Sequence, residues 1–318
     1  MLIRFGYVAM SLRLENCSPS KTITLTNLKK IPSLEGQLGR LKSLAENNLD
    51  NTLRLLYHNH AHQIHLYRFT SKLIPLVTHP EAPVWDYPKE LAEKLKKIGN
   101  YVKLHQMRVS AHPDHFTLIN SPDPQINQTS LRDLIYHQEI FQAMGLGKEA
   151  KLVMHVGGLY KDKEQSVARF KENFQMLLPP EIKERLVLEN DDKSYTANDV
   201  LEICEELGIP MVLDIHHHYC CGQNEDLSQL LPRIFATWED LPPKIHLSSP
   251  KDEKNFRHHA DEIILEDFLI FLKLAKELDQ DFDVMIEAKS KDVALFNLLE
   301  KLKGIPGIKF LDQSSIIF

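Results

Sequence analysis

The sequence predicts an α/β chain folded as a single (β/α)8 TIM barrel over residues 1–318, with a metal site at its C-terminal mouth. Three observations predict it. Eight short apolar runs, 2–7, 64–69, 107–111, 151–155, 186–189, 210–214, 244–248 and 282–287, are rich in Val, Ile, Leu and Phe, as strands buried on both faces are. Longer stretches of helical spacing separate them, and that alternation implies parallel pairing through right-handed crossovers. Most of the later runs also end on, or just before, a residue that binds metals well.

The elements follow in order. MLIRFGYVAM lacks the basic start and long apolar core of a signal peptide and reads as a first strand. Residues 15–33, ENCSPSKTITLTNLKKIPS, form a polar insertion at the mouth that either touches substrate or is simply solvated. Leu38, Leu41, Ala45, Leu49, Leu53 and Leu56 then share one helix face. That helix ends in His58, His60, His62 and His65, a solvated or locally hydrogen-bonded patch away from the mouth. Leu91, Leu95, Ile98 and Val102 mark a second helix. A third runs from Leu131 to Met144 and closes at Gly145. Leu201, Ile203, Cys204 and Leu207 lead into Gly208-Ile209-Pro210, a helix stop feeding a strand. Phe268, Phe271, Leu272 and Ala275 form the face of a late helix.

Composition narrows the setting. The 318 residues are 43% apolar, enough for one large core, and no run approaches the roughly 18 apolar residues of a membrane helix. Four cysteines, Cys17, Cys204 and the adjacent Cys220 and Cys221, include no C-x-x-C. This pattern predicts a reduced, cytoplasmic setting. A formal net charge of -6 looks wrong for a nucleic-acid partner, but three divalent ions would cancel it and make the local charge positive.

The metal-binding residues converge. MRVSAHP ends with His112, KLVMHVGG carries His155, and LVLENDD carries Glu189. MVLDIHHH carries Asp214 and His217, KIHLSSP carries His246, and DVMIEAKSK carries Glu287. His79 in VTHP and His259 in RHHAD lie in loops. Six imidazoles and three carboxylates suit a multinuclear site, with carboxylates free to bridge. Without cations those carboxylates would repel one another. Lys289, two residues after Glu287, either contacts a phosphate or faces outward.

These motifs, together with FGYVAMS and SAHPDHFTLINSPDP, resemble the UV damage endonuclease family over residues 2–291, leaving 292–318 as a tail. The H-P, E-N-D and D-x-x-H motifs and the closing Glu are more distantly similar to endonuclease IV. The resemblance implies cleavage of UV-damaged double-stranded DNA immediately 5′ to cyclobutane pyrimidine dimers or 6-4 photoproducts, and in some members at abasic sites. The products would be a 3′-hydroxyl and a 5′-phosphate. It implies three divalent ions, manganese first, with zinc, cobalt or magnesium as alternatives. By analogy, His112, His155 and Glu189 hold one ion. Glu189, Asp214, His246 and Glu287 hold a second, and His217, His259 and His79 a third.

Glu189 and Glu287 would thus be catalytic through the ions they share. Lys244 matches a lysine carboxylated in a relative, which would be a metal-facing anion; a plain lysine salt-bridged to a carboxylate is the other reading. Tyr7 and Phe116 match the aromatics that probe damaged bases. His115 stands where some members carry Gln. The implied partner is DNA, with no membrane and a monomeric enzyme. Independently of the resemblance, a phosphodiester resists hydrolysis because it is an anion with a poor leaving group, and metal ions answer both difficulties. The alternatives are a metal-dependent sugar isomerase on the same barrel and a damage-binding module without catalysis.

Overall fold

The computed structural model describes residues 1–222 and 224–318. Eight parallel strands close into a TIM barrel: β1 (Leu2–Val8), β2 (Leu66–Phe69), β3 (Arg108–Ala111), β4 (Lys151–His155), β5 (Leu186–Glu189), β6 (Met211–Asp214), β7 (Lys244–Leu247) and β8 (Phe282–Ile286). Each lies within, or one residue beyond, a predicted apolar run. A crossover helix follows each strand: α1 (Leu34–Ala61), α2 (Ala92–Leu104), α3 (Pro124–Ala143), α4 (Lys163–Leu177), α5 (Ala197–Leu207), α6 (Leu227–Ala236), α7 (Leu265–Lys276) and α8 (Lys291–Leu302).

The barrel closes through β1, which pairs with β8 along most of its length and with β2 only from Gly6 to Val8. Its first residues, Leu2 to Arg4, pair instead with an antiparallel tail strand, β10 (Ser315–Ile317), which pairs in turn with β9 (Lys309–Phe310). The tail is therefore part of the sheet and completes its closure.

Local chemistry sets the helix ends. The Ser33, Asp123 and Asp162 side chains accept from the first-turn amides of α1, α3 and α4. Thr196 and Asp199 form a reciprocal capping box on α5. Gly208, at φ 65°, ends α5 in the left-handed conformation expected of a helix stop.

The strand period of two decides what faces the barrel axis. Arg4 and Arg108 both bond Asp283, and Lys244 reaches Ser110 four strands away, so these side chains point inward. Val153, Val187 and Val212 pack with Trp238, whose ring lies against the Arg108 guanidinium, in a small core of their own. The residues of opposite parity, among them Phe5, Tyr7, Tyr67, Phe69 and Val109, belong to the larger core between barrel and helices. Two residues above the inner valines, the inward positions are His155, Glu189 and Asp214. That layer is the floor of the mouth.

Candidate metal centre

Strand register builds the ring. His155 is paired with Glu189, Asp214 with His246, and Leu247 with Ile286, which sets Glu287 one step beyond the sheet. Glu189 is the hub. Its Oε2 lies 3.3 Å from His112 Nε2 and 3.8 Å from His155 Nε2. Its Oε1 lies 2.9 Å from His246 Nδ1 and 3.7 Å from His217 Nδ1. His246 Nδ1 is also 2.9 Å from Glu287 Oε1. Three triples each place their donor atoms within 4.8 Å of one another: His112, His155 and Glu189; Glu189, Asp214 and His217; and Glu189, His246 and Glu287.

Two observations show that these side chains fit divalent cations. The first is a set of buried polar atoms without a hydrogen-bond partner: Glu189 Oε2, Asp214 Oδ2 and His246 Nε2. Such atoms are costly unless something fills their coordination. The second is the tautomer of the histidines. Nδ1–H of His112, His155, His217 and His259 donates to the carbonyls of Pro113, Glu189, Asn190 and Glu287, at 2.8, 3.2, 2.9 and 2.9 Å. In the neutral form each is thereby left with an Nε2 lone pair, the outer-shell pattern typical of metal-binding imidazoles. His216 differs: Ser248 Oγ and the Phe256 carbonyl engage both its nitrogens, so it supports the site and cannot be a ligand.

The electrostatics agree. Burial raises the Glu189 carboxyl, but the His246 and His155 imidazoles outweigh it and hold the group well below the usual carboxylate range. Burial opposes charge on His246 and His217 as well. Glu189 and Glu287 nevertheless push His246 up to about 9, and Asp214 and Glu189 push His217 up to about 9. The carboxylates attract positive charge strongly enough to overcome desolvation.

The remaining expected residues divide. His259 stands beside the ring, its imidazole 5.9 Å from that of His217, although it belongs to no triple. Asp214 groups with His217, its neighbour across one helical turn, rather than with His246 and Glu287. Lys289 is exposed just past Glu287. His115 and Phe116 stack on each other at the rim, ring centroids 3.8 Å apart, and Phe116 is 71% exposed.

Two expectations are corrected, Tyr7 as a mouth residue and Lys244 as a salt-bridged lysine, while His79 stands apart from the triples. Tyr7 is not at the mouth: it has the outward parity, is 0% exposed, and donates to Asn59 Oδ1 of α1 at 2.6 Å. His79 joins no ligand triple. Its Nδ1 accepts from the Glu81 amide, and its ring lines a neighbouring groove, held there by the turn of the loop after β2. Lys244 is not salt-bridged to a carboxylate among the described residues. It lies below the ligand layer, 3.3 Å from Ser110 Oγ, because Arg4 and Arg108 already occupy Asp283. Burial, with Arg108 nearby, holds its amine well below the usual lysine range.

A pocket of about 310 Å3 opens over the ring, lined by His112, His155, Glu189, His217, Glu287 and a residue not singled out from the sequence, Arg68. The signal was its inward parity at the end of β2. A groove of about 510 Å3 adjoins the pocket through Ser71 and Asp114. Thr22, Ile23 and Thr24 of the 15–33 insertion wall it, with Phe116 on its edge. The insertion is strapped to α1: Asn48 bonds Lys21 and Leu73, Asn51 bonds Ser18, and Arg54 bonds Glu15 and Asn16. The histidine patch beyond α1 is engaged locally, His58 with Asp292 and His65 with Asp312.

The fold and site define the class: TIM barrels whose C-terminal mouth carries a carboxylate-centred ring of imidazoles, donors suited to metal ions. Within that class, the chain belongs to the UV-endonuclease UvdE family, which it matches over residues 3–318. The match runs through the tail. It is 45% identical over 311 residues to a UV DNA damage endonuclease of Bacillus cereus (strain B4264), covering 97% of each chain. Its structure is similar to the crystal structure of SacUVDE, at 34% identity and TM-score 0.84, covering 95% of this chain and 98% of that one. Endonuclease IV from Thermus thermophilus shares the fold at 14% identity and TM-score 0.57, covering 95% and 100%. Among the described residues no helix is long and apolar enough to cross a membrane.

Proposed function

We propose that this protein is a DNA repair endonuclease that hydrolyses the phosphodiester immediately 5′ to UV photoproducts, cyclobutane dimers and 6-4 products alike, leaving a 3′-hydroxyl and a 5′-phosphate. The reading extends to abasic sites. The observation that carries the reading is Glu189, whose carboxylate enters three ligand triples while one of its oxygens has no hydrogen-bond partner. One carboxylate serving three triples suits a trinuclear centre, with manganese the first candidate.

Bound ions supply a water of lowered pKa and stabilise the negative charge that develops on the phosphate and the leaving 3′ oxygen. The chain does the rest. Glu189, Asp214 and Glu287 would hold the ions and offset their charge, with Glu189 shared among them, and the carbonyl-held histidines would offer their Nε2 atoms. His259 completes the ring beside His217. Phe116 and His115 at the rim meet the distorted duplex, and Lys289 meets its backbone. Lys244, a buried amine that burial and the nearby Arg108 hold well below the usual lysine range, is suited to carboxylation; Arg108 Nε and Nη2, buried without a hydrogen-bond partner, would receive the resulting anion.

Incubation with UV-irradiated supercoiled plasmid and Mn(II) tests the reading. Damage-dependent nicking with extendable 3′ ends is expected. Isomerisation of ketoses with no action on irradiated DNA would replace it with the sugar-isomerase reading, which shares the barrel and the ions.

A further inference from the structure

Arg68 is the one arginine lining the pocket over the ring. It is the penultimate residue of β2, level with Val8 on β1 and Ser110 on β3. Its side chain is 10% exposed, and Nη1 donates to Glu287 Oε1 across the intervening strand. Among the described residues, Glu287 is the sole hydrogen-bond partner of its guanidinium. A guanidinium carries five donors in a planar fork, so most of its capacity is unspent.

Its location is electrostatically odd. Glu189, Asp214 and Glu287 already face two or three divalent cations on the nuclease reading. The ring is therefore net positive before Arg68 is counted, and a permanent extra cation there would be repelled. An anion in the pocket resolves this. The other inward arginines, Arg4 and Arg108, lie a layer below, where both bind Asp283.

We propose that Arg68 is a catalytic residue that grips the scissile phosphate, its free donors taking the two non-bridging oxygens while Nη1 keeps its hold on Glu287. This rests on the nuclease reading. The planar fork matches two phosphate oxygens as a lysine ammonium cannot. As the attacking oxygen adds to phosphorus, charge grows on the oxygens that Arg68 holds, so the contact strengthens toward the transition state.

The test uses the full-length protein as wild type, Arg68→Gln and Arg68→Lys. Metal content is read by elemental analysis, binding of a UV-irradiated duplex is followed across a salt series in Ca2+, and nicking is measured in Mn2+. For Arg68→Gln the slope of log affinity against log salt should shrink by about 0.9, the loss of one phosphate contact. Its kcat should fall by roughly 100-fold or more, as when a single oxyanion donor is removed, with metal content intact. Arg68→Lys keeps a charge beside Glu287 and preserves the fold; it should restore the slope but leave kcat at least about tenfold low, because the fork is gone. An unchanged slope in Arg68→Gln overturns the proposal. If ions are lost as well, Arg68 serves only to seat Glu287. Wild-type protein that does not nick irradiated DNA would sink the nuclease reading instead, a distinguishable outcome.

Discussion

Glu189 shows how much depends on one side chain. It is 1% exposed at the end of β5, and four imidazoles approach its two oxygens within 3.8 Å. Glu189→Gln keeps the volume but offers an amide where a bridging anion is needed. Nicking should fall by more than about 100-fold, since even outer partners of metal ligands cost roughly 10- to 100-fold. Far-UV circular dichroism should be unchanged while bound metal drops; near-wild-type nicking by the folded variant would disprove the bridging assignment. Parity separates the two aromatics in the same way. Tyr7→Phe leaves Asn59 Oδ1 without its buried donor and should cost about 1–3 kcal/mol of stability, with preference for damaged DNA intact. Phe116→Ala should leave the melting temperature alone. Base–aromatic stacking worth about 1–3 kcal/mol makes its expected loss of damaged-duplex affinity roughly 5- to 150-fold at fixed salt. The reverse pattern would return Tyr7 to the mouth.

At the scale of elements, the strands and the candidate donors near their ends were legible because most of the later runs close on, or just before, such a residue. His155 and Glu189 are the last residues of β4 and β5, and Asp214 of β6, so finding the strand finds the ligand. Parity within a strand is what separates Arg68 from Tyr7. Both sit near strand ends, but only Arg68 shares the inward phase of His155 and Glu189. Loop conformation was not legible at all. His79 follows β2 by ten residues, and only the folded loop shows its Nδ1 turned to the Glu81 amide. The 15–33 insertion left open whether it belonged to the site; its anchors, Asn48, Asn51 and Arg54, lie on α1, where a polar residue reads from sequence as solvent-facing. Asn48 is fully buried and joins the insertion to the loop after β2. Asn48→Ala should cost about 1–3 kcal/mol through the groups it orphans. Limited proteolysis should then cut within 15–33 before elsewhere; an unchanged digestion pattern would mean that Asn51 and Arg54 hold the insertion alone.

Across the whole molecule, a barrel of net charge -6 concentrates its most consequential charge in one layer, and protons and metal ions compete for that layer. Without ions, His246 and His217 each bind a proton up to about pH 9. In the unfolded chain they release it near the ordinary histidine value of about 6.5. A group whose pKa is raised by folding contributes stability that is complete below the unfolded value and disappears as pH climbs through the folded one. Metal-stripped protein should therefore lose stability between about pH 6.5 and pH 9. Loaded protein should not, because the ions replace those protons as partners of Glu189, Asp214 and Glu287. The gap in melting temperature between loaded and stripped protein should widen steadily across that window. Metal affinity should rise over the same interval, since ligands must be deprotonated to bind, and adding Mn(II) to stripped protein at pH 7 should acidify a weakly buffered solution. Calorimetry in two buffers of different ionisation enthalpy would measure that release. If no protons are released and the melting gap is flat from pH 6.5 to 9, His246 and His217 do not exchange protons for metal, and the ligand ring must be redrawn without them.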